Sequence, residues 1–579
     1  MKPMFGFAAH WIANTEMMDM FVPATPLFDD PFYVGLNPCS RTLPKGTVVK
    51  DGHLPLPCDI LLEQDIEVRV RDGARLYVDV YRPPGAKPGI VPAIFVFTPF
   101  GKQGGPNRYN FDRREWRCGV PRKCVSGLEV FEGPDPAYWC FHGYAVVYMR
   151  GTWNSDGNAM LPCVEQVQDG HDLVEWIAGR ERCNGRVSMA GNSFLAATQW
   201  FVGAEQPPHL ACLAPWEGFN DLYNDQVRRG GILNAGFAQG LLRGDLRGKS
   251  SVEDVVKMTE NNPVWTLFWE THQADLKKIQ VPLYVVASWT NPLHAHGTLK
   301  GFIESSSPEK WLRVHNFHEW PDLYQPQNLE SLRSFFDHYM KDVNNDWVFT
   351  PRVRLSILNP GGQDIVNRPE TTYPLTRQRP WQLFLDANSN CLQSDIPKES
   401  TRCVYDAMNG LRSFDYRVPR KMEFIGPSKL RLFVEAEGSD DMDVFVTLEK
   451  CNSSGDVQKS IVIDVGWLAD DPEAEREALL AANRRDSAFC SSYFSAGPCG
   501  SLRVSHRAVD EARSTEYQPV YTHAKEKALR VGEIVPADIE IWPYGWCFET
   551  GDILRLTRHI LHTGRASVSY LLLPLVSSD

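Results

Sequence analysis

The sequence predicts a two-part molecule, a helix-wound parallel sheet followed by an all-β sandwich. Three observations carry this. Between about residues 61 and 345, short apolar strands alternate with helical stretches, the rhythm of βαβ units. Residues 223–279 break that rhythm with several helical stretches and no good strand, which marks an insertion over one end of the sheet. Beyond residue 350 the texture changes to short β-rich segments separated by turn residues, such as KLRLFVEAEG, DVFVTLEK, PADIEIWP and SVSYLLLPLV.

The elements follow in order. Residues 1–60 are rich in proline and aromatics, show no period, and read as an extended arm on the body. In DIEVRVRDGARLYVDVYRP, Ile66, Val68 and Val70 alternate with polar residues, Arg-Asp-Gly turns the chain, and Leu76, Val78 and Val80 alternate again, which is a hairpin. IVPAIFVFTPF (90–100) and YAVVYMRG (144–151) are nearly continuous apolar runs, as strands buried on both faces read. QDGHDLVEWIAG places Leu173, Val174 and Ile177 on one helical face and stops at Gly179. RVSMAG, FLAATQWFVGAEQ and LACLAPWEG read as strand, helix and strand. VPLYVVASW (281–289) and KWLRVHNF (310–317) resume the sheet, and LESLRSFFDHYMK (329–341) closes it. The organisation expected is an arm over 1–60, a body over 61–222 and 280–345, a helical cap over 223–279 and a sandwich over 350–579. DPEAEREALLAANRRD (471–486) is a helical insert in the last.

Composition narrows the function. A net charge of −12, from 60 basic and 72 acidic residues, argues against nucleic acid or an anionic membrane as partner. No apolar run approaches a membrane span, and the N-terminus makes a poor signal peptide because His10, Glu16 and Asp19 interrupt it. Fourteen cysteines are spread along the chain without a C-x-x-C pair, so the expectation is reduced thiols in a cytosolic protein.

Gly191-Asn192-Ser193-Phe194-Leu195-Ala196 lies between a predicted strand and a predicted helix. This is close to G-x-S-x-G, whose small residues let a serine stand on a sharp turn at the carboxyl end of the sheet. The Phe194 N–H then faces the position of an oxyanion. The bland reading of Ser193 is a helix N-cap. A nucleophile of this kind also needs a histidine and an acid to orient it. After the strand 281–289 the loop reads Trp289-Thr290-Asn291-Pro292-Leu293-His294, and after the strand starting at 310 it reads His315-Asn316-Phe317-His318-Glu319.

These residues resemble the CocE/NonD hydrolases, the cocaine esterase and X-Pro dipeptidyl-peptidase group. The resemblance covers about residues 60–579 and rests on VRVRDGARLYVDVYRP, TPFGKQG, YAVVYMRGTWNSDG, DGHDLVEWIAG, CNGRVSMAGNSFLAATQWFVGAEQPPHLACLAPWEG, SLRVSHRAVD and GEIVPADIEIWP. It implies an α/β-hydrolase fold with a mostly parallel sheet, a helical cap insertion and a C-terminal jelly-roll sandwich. It also implies acyl-serine chemistry without metal or cofactor. By position, Ser193 matches the nucleophile. His318 matches the catalytic histidine, with His315 the fallback if the strand ends earlier. Asn291 falls where the family has its acid, in WTN rather than W-x-D. Phe100 falls where it has an oxyanion tyrosine, in TPFGK rather than TPYGK.

The last two are departures in the machinery. A lost oxyanion donor costs about 10²–10³ in rate. A neutral amide in the acid position costs about 10⁴ in serine proteases. Three readings follow. An acid comes from elsewhere, Glu217 or Asp221, and the protein hydrolyses an ester, thioester, lactone or amide of a small organic acid. Alternatively the pocket catalyses acyl transfer, cyclisation or rearrangement of a specialised metabolite without net hydrolysis. In the third reading it only binds a small molecule. Trp153, Trp216, Trp289 and His294 are expected to line the pocket. His294, His296, His315 and His318 lie close in sequence, but no Asp or Glu pair accompanies them at ligand spacing, so no metal is expected. The family's interfaces suggest a homodimer.

Overall fold

The computed structural model describes residues 20–29, 33, 35–102, 120–150, 153–244, 246–404, 410–468, 471–485, 493–558, 561–564 and 567–577. Residues 1–19 of the N-terminal arm lie outside these.

An eleven-stranded sheet forms the body. Its strands are β2 (Cys39–Leu43), β3 (Ile60–Arg69), β4 (Arg75–Arg82), β5 (Val91–Thr98), β6 (Ala145–Arg150), β7 (Cys183–Asn192), β8 (Leu210–Trp216), β10 (Leu283–Ser288), β11 (Lys310–His315), β12 (Val353–Ile357) and β13 (Ile365–Glu370). They run in the order β13-β12-β11-β10-β8-β7-β5-β6-β4-β3-β2. From β12 to β6 every neighbour is parallel, and antiparallel strands flank this centre on both sides. All eight residues of β5 are buried, as its unbroken apolar run requires of a strand covered on both faces. The chain between residues 353 and 370, read from its texture as sandwich, instead extends this sheet, because Val353 and Leu355 present their backbone to β11. Likewise β2, within the stretch read as an arm, pairs with β3 at the far edge.

The helix Phe194–Ala204 follows β7 and is buried along its whole length. It lies close on its neighbours because glycines admit them: a Cβ on Gly170 would strike Val202, and one on Gly301 would strike the Trp200 indole. The insertion carries the helices Gly236–Gly244, Val255–Asn261 and Leu267–Thr271, together with the short strand β9 (Ser251–Glu253). That strand pairs antiparallel with β1 (Phe21–Pro23), tying the N-terminal segment to the insertion. Leu242, Leu246, Val255, Met258 and Trp269 are buried in a cluster shared with Met20, Phe219 and Tyr223, so the insertion is part of the core on that face. Asp254 caps Val255–Asn261 by accepting from the Val256 and Lys257 N–H groups. Asp254→Ala is expected to lower stability by about 1 kcal/mol, read as a shifted denaturant midpoint at unchanged slope.

The C-terminal part is a curled, largely all-β unit of jelly-roll type. Its spine is Met422–Val434, which pairs antiparallel with both Val535–Phe548 and Tyr570–Val576. It is stitched to the body: the Leu358 N–H donates to Gly545 O and the Cys547 N–H to Leu358 O, both at 2.9 Å. One apolar cluster runs from the sheet through Trp289, Leu355 and Tyr373 into Tyr544, Trp546 and Phe548.

Candidate active site

Ser193 stands between β7 and the helix Phe194–Ala204 with φ 55° and ψ −117°, a backbone that only a sharp strand-to-helix elbow imposes on a serine. The elbow is held from two sides. The Ser193 N–H donates to Glu217 O at 2.8 Å and the Asn192 N–H to Glu132 O at 3.0 Å. The donating residue preceding the serine is fixed as well, since Asn192 Nδ2 reaches the carbonyls of Trp216 and Glu319. Glycine is required at 191, where φ is 135° and a Cβ would strike Leu195. Ser193 itself remains partly exposed.

The histidine on this serine is His294. Its Nε2 lies 3.0 Å from Ser193 Oγ. The sequence placed His294 in the pocket wall and gave the base to His318, counting from the strand at 310. In the structure His318 caps the helix Glu319–Tyr324, its Nδ1 accepting from the Trp320 N–H. His315, the fallback, points to two carboxylates, with Nε2 2.5 Å from Glu217 Oε1 and 3.6 Å from Asp322 Oδ2. What brings His294 forward is the Asn-Pro-Leu-His turn: Asn291 Oδ1 accepts from the Leu293 and His294 N–H groups at 2.9 and 3.2 Å. That Asx turn was readable as N-P-x-H, a histidine lifted at a helix start.

For Ser193 to give up its proton to Nε2, His294 Nδ1 must carry the other hydrogen. That atom is buried and finds no hydrogen-bond partner among the described residues. Burial, reinforced by the Arg229 guanidinium and by His318, pushes His294 down to about 3, so it is neutral at neutral pH.

Asn291, expected from the sequence at the acid position, has an amide that serves two other groups. Nδ2 donates to Glu217 Oε2 at 2.8 Å and to Glu319 Oε2 at 2.9 Å. The amide orientation follows from these partners, two acceptors on one side and two N–H donors on the other. Glu217 also accepts from Ser288 Oγ at 2.9 Å. Burial, then the neighbouring Glu217 and Glu132, raise Glu319 well above the carboxylate range, which keeps it protonated. Asp322 stays low despite burial because Arg313 is paired with it. Glu217 therefore faces His315, not His294. Asp221 is turned into the insertion, accepting from Asn224 and Gln273 and facing Lys300. Neither of the two substitute acids suggested by the sequence bonds His294.

The pocket tryptophans are also placed differently. Trp216 is fully buried, its N–H donating to Asp322 at 3.0 Å and Arg313 covering its ring. Trp289 donates to Ser356 O at 2.6 Å and wedges against Gly545 at the junction with the sandwich. Trp153 lies under Gly101. All three rings are buried, each with an aromatic neighbour, Tyr33 for Trp153, Tyr284 for Trp216 and Tyr373 for Trp289; sequence position alone does not show which way an indole points. Phe100 is buried against Phe131 and Phe194, ring centroids 5.2 and 6.2 Å apart. Phe131 continues to Trp320 at 5.2 Å, giving an aromatic wall beside the start of the helix Phe194–Ala204. Among the described residues no group of three or more His, Cys, Asp or Glu side chains is arranged to hold a metal ion, and no helix is long and apolar enough to cross a membrane.

Comparison with known proteins agrees with this architecture. The X-Pro dipeptidyl-peptidase (S15 family) profile matches residues 72–254, and that of the X-Pro dipeptidyl-peptidase C-terminal non-catalytic domain matches 345–557. The cocaine esterase of Rhodococcus sp. (strain MB1 Bresler) is 33% identical over 161 residues, 28% of this chain and 24% of that protein. The match thus spans about a quarter of this curated relative's length. The crystal structure of a CocE/NonD family hydrolase from Staphylococcus aureus superposes with a TM-score of 0.79 at 27% identity, covering 96% of this chain and 99% of the other. An aminopeptidase from a marine sediment archaeon, Thaumarchaeota archaeon, shares the fold alone, at 13% identity and a TM-score of 0.63 over 88% and 96% of the two chains. By profile along both of its parts and by fold along nearly its whole length, the chain belongs to the CocE/NonD family of hydrolases.

Proposed function

We propose that the protein is a serine-dependent acyl hydrolase acting on an ester, thioester, lactone or amide of a small organic acid. The observation that carries this is the strained Ser193 elbow with its Oγ 3.0 Å from His294 Nε2. Ser193 attacks the acyl carbon, its proton passes to His294, and the Phe194 N–H at the helix start faces the oxyanion. His294 returns the proton to the leaving group, and water releases the acyl group by the same route in reverse. The test is a fluorophosphonate and intact-mass measurement on the full chain. One adduct per chain is expected on the wild type and none on Ser193→Ala; an unlabelled, folded wild type overturns the reading.

The pH dependence gives a second check. A base must be neutral to accept a proton, and His294 is neutral at any pH well above about 3. The labelling rate is therefore expected to stay flat from about pH 8 down to about pH 5, where a histidine near its ordinary value would already have lost reactivity.

One observation favours a variant of this reading. With no acid on His294 Nδ1 among the described residues, the imidazolium formed during attack is poorly stabilised. Acyl donors with good leaving groups need least help from it, so transfer or cyclisation from an activated acyl group is the second reading. Product analysis with and without an added nucleophile separates the two.

A further inference from the structure

Two residues beyond His294, the first turn of the helix Ala295–Glu304 carries His296, and two other parts of the chain grip it. Its Nδ1 lies 2.6 Å from Asp225 Oδ1, in the turn that opens the insertion. Its Nε2 lies 3.1 Å from Glu540 Oε1, on the long sandwich strand Val535–Phe548. Both ring nitrogens face carboxylate oxygens, so both must donate, and the ring is an imidazolium. It is stacked on the Trp542 indole, centroids 5.3 Å apart and 23° from parallel, and the Arg229 guanidinium lies 4.2 Å from the centre of that indole. Each carboxylate is fixed in turn. Asp225 Oδ2 accepts from the Asn220 and Asp221 N–H groups, and Glu540 Oε1 accepts from Gln518 Nε2 at 3.0 Å. Gln226, next to Asp225, donates to Leu293 O at 2.5 Å, immediately before His294.

We propose that His296 is a positioning residue whose grip by Asp225 and Glu540 holds His294 on Ser193, so that the sandwich domain, through Glu540, sets the reactivity of a serine on the other part of the molecule. This rests on the reading of His294 as the base. The mechanism is geometric. His294 begins the helix Ala295–Glu304, its ring is stacked on Phe219, and its Nδ1 has no side-chain partner among the described residues, so its direction depends on that one ring contact and on how the start of the helix is anchored. The anchor is ionic. The charged groups around it are Asp225 and Glu540 in contact, Lys300 with its partner Asp221 behind Asp225, and Arg229 beyond Trp542, with His294 on the serine side.

Burial opposes the charge on His296, but Glu540 and Asp225 outweigh it and raise the ring to about 10. A histidine held above its ordinary value contributes fully below about 6.5 and loses that contribution as pH rises through the folded value. The anchor is therefore intact across the neutral range and released near pH 10.

The test is the rate of fluorophosphonate labelling of Ser193 in the full chain from pH 6 to 10.5, with folding followed by circular dichroism. Glu540→Gln is expected to label about tenfold more slowly and His296→Gln about 10²-fold more slowly, the scale of a misplaced reacting group. The wild-type rate is expected to fall as pH approaches about 10, and Glu540→Gln is expected to lose its rate at a lower pH, because one of the two carboxylates holding the proton has become neutral. A merely structural role would not move that limb. His294→Ala separates the two levels. If it labels slowly while both other variants keep the wild-type rate and profile, the positioning role is overturned and the base stands. If His294→Ala labels at the wild-type rate, the base assignment itself fails and takes the positioning role with it. Should the variants not fold, a wild-type rate that stays level to pH 10.5 in the folded protein overturns the proposal on its own.

Discussion

Alanine in place of His294 is expected to slow acylation of Ser193 by about 10³-fold, within the range that positioned general bases supply. Alanine in place of His318 is expected to stay within about tenfold of the wild type, because that ring is spent on capping a helix rather than on the serine. The contrast is the informative part. Both histidines are pushed down to about 3, so titration does not distinguish them. Only the 3.0 Å approach of His294 to Ser193 Oγ does. The measurement is the second-order rate of fluorophosphonate labelling on both variants, with melting temperatures to show that both fold. Equal loss in the two would mean that the serine uses the histidines as a pair. Loss in His318→Ala alone would return the base to the loop after β11.

Much of this architecture was legible because the patterns that encode it are local. The apolar runs of β5, β6 and β10 announce strands covered on both faces, and Gly191-Asn192-Ser193 announces an elbow from its place between strand and helix. The extent of the sheet was less legible: β12 and β13 have the same short alternating texture as sandwich strands, and only their pairing with β11 assigns them. The site was half legible. Ser193 follows from its own neighbours. The identity of its histidine depends on how two loops from separate strands close on one point, which spacing along the chain does not contain. The loop after β10 carried a cue in Asn291-Pro292-Leu293-His294, since an Asx turn lifts the residue three places on. Reading Asn291 as a weak orienter of His318, standing in for the acid, hid that cue. The surroundings of the tryptophans were illegible for a related reason: an indole at a strand end can face either way, and the partners that hold it, Asp322 for Trp216 and Gly545 for Trp289, lie over a hundred residues away.

Restoring the family's acid is expected to fail. Asn291→Asp should leave the labelling rate of Ser193 no faster than in the wild type, and should lower stability by about 3 kcal/mol at neutral pH, the scale of a buried charge left without its partner. The first half follows from direction. The side chain at 291 faces Glu217 and Glu319 on one side and two backbone N–H groups on the other, so an aspartate there gains no line to His294 Nδ1. The second half follows from charge. The Asn291 amide is a donor to two buried carboxyl groups; an aspartate removes both bonds and adds a third carboxyl to the cluster. Its folded value would be raised above that of the unfolded chain, so the penalty should be full at high pH and shrink as pH falls toward the ordinary carboxylate value of about 4. Glu319→Gln in the same chain provides the check, because it returns an amide donor to the new carboxylate with donor and acceptor exchanged. The double variant is expected to recover at least half of the lost stability, an interaction of about 1–2 kcal/mol in a denaturant double-mutant cycle, as for groups in direct contact. Additive losses would show that the two residues do not act as a unit. A labelling rate that rises in Asn291→Asp would show that position 291 can still serve the histidine as an acid.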